Sequence, residues 1–521
     1  MLALNELTPE QKLGRVLCAR RFNTDDDIAF TLEMIQNSAC GCLQMSYNDR
    51  TDDLIRKFRE AADYPLLIVN DMETGFPMSR LPKVPMITLA ACDNSEYTRA
   101  FGAALAKEAR ERGFSGCWGP IVDILHVDGP CSVCRKAGDT EEAVYKVTRD
   151  IFDAFASYNF QGTAKHYPGG QDSAVDTHMV EGISSFTEEE LRDNDLMPYR
   201  RLIKDGLLPA IMSGHQVCPE IDELPASLSK RVIDIIRKCG FDGLIYTDSL
   251  AMMGILQKYG EKGAMARALM AGNDIILPNY RTPTREVYEM MLDAYRSGEI
   301  TDERLDEAVR RVMRMEEWCA RKPENPIPVS NNIEEILTSV VRDSITAEVK
   351  DGGDTHINPD EKRLFIVITP QSYNTDDIQN EISSGNWYDP LRVVKSIRER
   401  FPLSDIELIP EFPDAKDNER ILNVATGYER VVFVSYCATG AYTGTDCLTR
   451  RIEAMIESLA IPKKVEALVH FGNPLAVLKI NGGPLKIYGY TAPEAQKYAI
   501  DALAGNIEAR GKMPFPNLMK K

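Results

Sequence analysis

From the N-terminus to about residue 320 the sequence alternates short apolar runs with longer amphipathic stretches, a rhythm few folds accommodate. Apolar runs lie at Gly41–Met45, Pro65–Asn70, Gly116–Ile121, Phe160–Ala164, Leu207–Met212, Phe241–Thr247 and Asn273–Leu277. Helical patterning fills the gaps between them, at Ser95–Arg112, Glu141–Tyr158, Glu188–Lys204, Ser229–Cys239 and Gly263–Ala271. Strands that alternate with helices pair in parallel through right-handed crossovers, because a helix is what returns the chain to the starting edge. Seven strands are legible and an eighth is not. The expectation is an α/β chain opening with a (β/α)8 TIM-like barrel, with a doubly wound open sheet as the alternative.

Arg321–Asn332 (RKPENPIPVSNN) breaks the rhythm with three prolines among polar residues, as a linker does. A helical stretch, Ile333–Ala347, and a polar loop then lead to a second alternation. Its strands are expected at Leu364–Ile368, Ile406–Ile409, Arg430–Tyr436, Val465–Phe471 and Leu485–Tyr490, its helices at Leu391–Phe401, Cys447–Ala460 and Pro493–Ala504. The domain reading is a barrel over 1–325, a linker with a helix over 326–360, and a smaller α/β sandwich over 361–521. Gly482–Gly483 precedes a strand rather than a helix, so it is not a phosphate-binding loop.

At 521 residues the chain exceeds what one core organises, in keeping with two domains. Net charge is −18, and a field of that sign opposes nucleic acid or an anionic membrane as partner. No apolar run reaches the length of a membrane span, and the first residues lack the pattern of a secretory leader, so the cytoplasm is the expected location. Scattered cysteines within apolar runs (Cys117, Cys239, Cys437) fit reduced, core-filling thiols. Cys131 and Cys134 form a C-x-x-C without a second pair at zinc spacing, and are read as two free thiols.

Polar side chains recur at the ends of the strand runs. Asp71 and Glu73 follow the second run, Asp123 the third, Lys165 and His166 the fourth, Ser213 and His215 the fifth, and Asp248 the sixth. In α/β proteins the carboxyl ends of the strands share one face, so these groups converge. Any one of them alone is a helix cap; five strand ends repeating the pattern are a site. The stretch Lys165–His178, KHYPGGQDSAVDTH, adds a loop broken by Pro168, Gly169 and Gly170 and closed by Asp176 and His178. A carboxylate two residues from an imidazole fixes its tautomer and raises its basicity, which suits a proton shuttle.

KHYPGGQDSAVDTH, followed by GLIYTDSLAMMGI at Gly243–Ile255, resembles the bacterial β-N-acetylglucosaminidases of glycoside hydrolase family 3. NDMETG (Asn70–Gly75), CWGPIVDI (Cys117–Ile124), SVCRKAGD (Ser132–Asp139) and AMARALMAGNDIILP (Ala264–Pro278) are similar to further segments of that family in the same order. HFGNPLAVL and LAGNIEARGKMPFP resemble its C-terminal sandwich. The resemblance implies Asp248 as the nucleophile that forms a glycosyl-enzyme, and His178 as general acid/base with Asp176 as its partner. It implies sugar binding by Asp71, Arg80, Arg135, Lys165 and His166, to which His215 is added. It implies no metal and no other cofactor, a carbohydrate partner, and release of terminal N-acetylglucosamine from peptidoglycan fragments or related oligosaccharides during wall recycling.

The chemistry of the residues agrees with those roles. Retaining cleavage needs a fixed carboxylate on one side of the anomeric carbon and a proton donor at the glycosidic oxygen. Asp248 suits the first role, and His178, its pKa raised by Asp176, suits the second. A histidine also repels an incoming anion less than a carboxylate does, so attack by phosphate in place of water is an alternative outcome. The chain departs from the family's usual pattern near the pocket. Gly170–Gln171 stands for His-Gly, Ser249 for a second aspartate, Phe76–Pro77 interrupts Gly-Arg-Val, and Met179–Val180 replaces Leu-Pro. Two rival readings remain: a metal-dependent barrel hydrolase using His166, His178, His215 and Asp248, and a sugar-binding protein without turnover.

Overall fold

The computed structural model describes residues 2–127, 129, 133–170, 175–350, 352–370, 387–437, 440–441 and 447–520. By backbone proximity the chain divides into two compact units. The first comprises Met1–Arg80, Thr98–Val127 and Thr140–Ile333; the second comprises Leu81–Tyr97, Asp128–Asp139 and Glu334–Lys521.

The first unit is barrel-like. Its strands are β1 (Cys18–Ala19), β2 (Cys42–Gln44), β3 (Leu67–Asp71), β4 (Gly116–Trp118), β5 (Thr163–Tyr167), β6 (Ala210–Ser213), a short hairpin of β7 (Val217–Cys218) and β8 (Asp222–Pro225), and β9 (Leu244–Thr247). β1 to β4 pair in parallel in chain order, as do β5, β6 and β9. Single bridges join β4 to β5 at Gly116–Gln161 and Ile121–Lys165; others join Ile275 to Tyr246 and Ile276 to Leu17. One apolar cluster draws Cys18, Cys42, Leu67, Val69, Trp118, Ala210, Met212, Leu244, Tyr246, Ile275 and Leu277 into a common interior. Their spacing is two residues along each strand, as side chains on one face of a pleated strand require. The helices cover the outer faces, including Ser95–Glu111, Glu141–Ser157 and Asp302–Ala320.

Three expectations shift. β1, just two residues long, has too few positions to show an alternation and was not among the seven expected strands. β5 runs to Tyr167, so Lys165 and His166 lie within the strand rather than after it. The helix expected over Glu188–Lys204 is two helices, Glu188–Asp193 and Met197–Lys204. Pro198 opens the second, where its missing N–H costs nothing.

The second unit holds a six-stranded sheet. β10 (Thr346–Val349), β11 (Leu364–Thr369), β12 (Asp405–Pro410), β13 (Val431–Cys437), β14 (Val465–Gly472) and β15 (Leu485–Tyr488) lie in the order β10-β15-β14-β13-β11-β12. All neighbours are parallel except β10 with β15. β11 and β13 are buried almost throughout, as strands covered on both faces are. β10 is an unexpected edge strand; the helix expected over Ile333–Ala347 ends at Asp343, and the chain turns into the sheet. A helix at Ala415–Ala425 is also new.

Candidate active site

The pleat that builds the core of the first unit also builds the site. Continuing the inward set by two residues from Cys18, Cys42, Val69 and Tyr246 gives Arg20, Gln44, Asp71 and Asp248. Thus the carboxyl ends of β1, β2, β3 and β9 place polar side chains on top of an apolar core.

Asp248 follows β9 directly. Its backbone N–H donates to the Ser213 carbonyl at 2.8 Å, and its Oδ1 accepts from the Ser249 N–H at 2.6 Å. Oδ2 lies 3.9 Å from His166 Nε2, with the Asp248 side chain 21% exposed. Burial alone would raise this carboxyl. His166, His215, the Ser249 N–H and Lys165 outweigh it and hold the group down at about 2. At neutral pH it is a partly exposed carboxylate, the form a nucleophile requires.

His166 is steered from its other side. Its Nδ1 lies 3.0 Å from Asp123 Oδ2, and its backbone N–H donates to Asp123 Oδ1 at 2.7 Å. Lys165, buried to 3%, reaches Asp71 Oδ1 and Glu73 Oε1, each at 2.7 Å. A buried ammonium between two carboxylates is charge-matched, which is what permits its burial. The peptide bonds Lys165–His166 and Tyr167–Pro168 are both cis.

Gly169 and Gly170 take left-handed φ of 77° and 72°, a region that costs glycine little and side-chain-bearing residues more. The Gly170 N–H donates to Asp195 Oδ1 at 2.8 Å, and the Gln216 amide donates to the Gly169 carbonyl at 2.9 Å. Residues 171–174, the middle of the motif, lie outside the described residues. Beyond them the Asp176–His178 pair forms as expected, with His178 Nδ1 2.8 Å from Asp176 Oδ1 and the His178 N–H 3.0 Å from the same oxygen. Asp176 is buried and His178 is 27% exposed. With Nδ1–H committed to a carboxylate, proton exchange falls to Nε2. The His178 carbonyl accepts from the Met253 N–H at 3.0 Å, tying this loop to the one that follows Asp248. The charges of both His178 and Asp248 reach His215.

His215 is fully engaged by the protein. Nε2 lies 3.0 Å from the Ser249 carbonyl and Nδ1 2.8 Å from Ser227 Oγ. A carbonyl only accepts, so Nε2 carries the proton and Nδ1 accepts from the serine hydroxyl. Burial lowers the pKa of this imidazole, which favours the same neutral form. Arg80 is exposed on the loop after β3. Arg135 ends a 3-10 turn, Val133–Arg135, that belongs to the second unit. Cys134 is buried, and Cys131 lies outside the described residues. Among the described residues no group of three or more His, Cys, Asp or Glu has metal-holding geometry, and no helix is long and apolar enough to cross a membrane.

Two polar residues of this layer carry no motif in the sequence, Arg20 and Gln44. Arg20 Nη1 donates to Ser249 Oγ at 2.7 Å and to the Pro278 carbonyl at 2.8 Å, and Nε donates to Gln44 Oε1. The one signal available was parity with the buried cysteines, Cys18-x-Arg20 and Cys42-x-Gln44.

Comparison with known proteins agrees with this architecture. A curated β-N-acetylglucosaminidase/β-glucosidase of Cellulomonas fimi is 26% identical over 328 residues, covering 60% of this chain and 57% of that protein. The match therefore spans little more than half of that relative. A family 3 β-N-acetylglucosaminidase structure from Paenibacillus sp. str. FPU-7 superposes with a TM-score of 0.79 at 23% identity, over 98% of this chain and 99% of its own. A β-glucoside phosphorylase structure gives 0.81 at 20%, over 99% and 95%. These likenesses establish the two-part fold. The model of the glycosyl hydrolase family 3 N-terminal domain matches residues 22–315, more than half of the sequence, and on that ground the chain belongs to glycosyl hydrolase family 3.

Proposed function

We propose that this chain is a retaining, exo-acting β-N-acetylglucosaminidase in which Asp248 forms a covalent glycosyl-enzyme and His178 is the general acid/base. The observation that carries this reading is the Asp248 carboxylate, oriented by the Ser249 N–H and 3.9 Å from His166 Nε2, in the same unit as an imidazole whose Nδ1 is committed to Asp176. Asp248 Oδ2 attacks the anomeric carbon while His178 Nε2–H protonates the departing glycosidic oxygen. The neutral imidazole then takes a proton from water as that water attacks the glycosyl ester, which restores both groups. Asp71, Lys165 and His166 line the same carboxyl-end face and are assigned to sugar hydroxyls. Arg80 and Arg135 retain that assignment from the family resemblance alone. His215 is assigned to holding Ser249, because both of its ring nitrogens are used. The scaffold is inferred to be a (β/α)8 barrel, with β1 to β6, β9 and the bridged Ile275–Ile276 as its eight staves.

A second reading is phosphorolysis, in which phosphate rather than water attacks the intermediate. The likeness to the β-glucoside phosphorylase and the use of an imidazole in place of a second carboxylate favour it.

One panel of aryl β-glycosides, assayed with and without phosphate, tests both readings. Hydrolysis of an aryl β-N-acetylglucosaminide is expected, unaffected by EDTA. Asp248→Ala should abolish turnover, and His178→Ala should lower it about 10²–10⁴-fold on poor leaving groups and less on activated ones. Glycosyl phosphate as the product would establish the second reading. Wild-type protein that cleaves no β-glycoside, or an active Asp248→Ala variant, would refute both.

A further inference from the structure

The nucleophile is not held by its neighbours alone. Ser249, the next residue, is gripped at three atoms. Its N–H donates to Asp248 Oδ1 at 2.6 Å, its carbonyl receives His215 Nε2 at 3.0 Å, and its hydroxyl receives Arg20 Nη1 at 2.7 Å. Arg20 is itself fixed by Gln44 and by the Pro278 carbonyl. Three parts of the chain therefore meet on one serine: the end of β1, the loop after β6 and the end of β9. The clamp ties down Oδ1 of the carboxylate and leaves Oδ2, the oxygen beside His166, to make the new bond.

We propose that Arg20 is a positioning residue for the nucleophile, acting through the Ser249 hydroxyl to fix the N–H that orients the Asp248 carboxylate. This rests on the reading of Asp248 as the nucleophile. Nothing in the motifs assigns Arg20 a role, and its geometry is specific in two ways. Among the described residues no carboxylate lies within ion-pairing distance of it, and its acceptors there are all neutral: an amide, a hydroxyl and a carbonyl. The charge of Arg20 instead faces Asp71 and Asp248, both of which oppose the lowering of its pKa by burial. A fixed carboxylate needs no reorientation when the sugar arrives, and misplacement by about 1 Å costs about 10²-fold in rate.

The test uses the full chain, three single variants, Arg20→Met, Arg20→Lys and Ser249→Ala, and the double variant of the first with the last. Expected for Arg20→Met is a fall in kcat of about 10–10² with KM changed less than threefold, partly restored in Arg20→Lys. Ser249→Ala should reproduce the Arg20→Met defect, and the double variant should add little to it. A crystal structure of Arg20→Met should show the Asp248 carboxylate turned from its wild-type orientation. Unchanged kcat, a defect confined to KM, or an unmoved carboxylate would overturn the proposal. If wild-type protein cleaves no β-glycoside, the glycosidase reading falls, and the orientation of Asp248 in the two crystal structures still decides whether Arg20 positions it.

Discussion

Asp248 sits where burial penalises its charge, and its neighbours more than compensate. His166 and His215 are the largest of these, followed by the Ser249 N–H and Lys165. A carboxyl depressed below its ordinary value adds stability that is complete above the ordinary carboxylate range and is lost as pH falls through about 2. The same sign governs activity, since Asp248 is already ionised at every pH the folded enzyme meets in ordinary assay. The wild-type acid limb of kcat/KM above about pH 4 must then come from another group. Lys165→Met removes one of the charges that hold Asp248 down, so the Asp248 carboxyl should titrate at higher pH in the variant; carboxyl NMR titrations of the two proteins would show the shift, and coincident titrations would refute it. Sequence reading reached this residue, its neighbours Lys165 and His166, and the Asp176–His178 pair because they stand in dense polar clusters after apolar runs. It missed the engagement of His215 on both ring nitrogens, since hydrogen bonds to Ser227 and to a backbone carbonyl leave no spacing in the sequence.

At the scale of elements, the first helix, Pro9–Arg15, and the last long helix of the first unit, Asp302–Ala320, are joined by a wholly buried ion pair of Arg15 with Glu316. Arg15 Nε also donates to the Ser38 carbonyl at 3.0 Å, and its guanidinium lies 3.8 Å from the centre of the Tyr64 ring. Burial pushes the Glu316 carboxyl up to about 8 against the pull of Arg15. For an acid with a raised pKa the folded state holds the proton more tightly, so stability is greatest below the ordinary carboxyl range and falls as pH rises towards about 8. Arg15→Met should cost about 3 kcal/mol above pH 8, where the Glu316 carboxylate would be left buried without its partner, and less at lower pH, where the carboxyl is neutral. Denaturant unfolding of the variant, followed with pH, would check both the loss and the slope. Most elements were legible because their apolar periods extend over enough residues to be counted. The exceptions have physical causes: β1 is two residues long, β10 is a half-buried edge strand without a strong apolar period, and Pro198 divides a continuous amphipathic pattern.

Over the whole molecule the dominant quantity is the net charge of −18, which repels anions before any contact is made. Near the proposed site, Lys165 and Arg20 act against that field, but Asp71, Glu73, Asp123 and Asp248 stand among them. A substrate approaching from solvent meets a surface whose excess charge is negative, and at physiological salt that charge and the local cations alike act over about 8 Å. An uncharged aryl β-N-acetylglucosaminide feels little of this, and its kcat/KM should change less than about twofold between about 50 and 500 mM NaCl. A glycoside with a carboxylated aryl group should start lower and rise several-fold over the same range as the repulsion is screened. The comparison isolates the field because the sugar and the bond cleaved are the same in both. Equal salt responses would show that the local cations, not the surface, set the potential a substrate encounters.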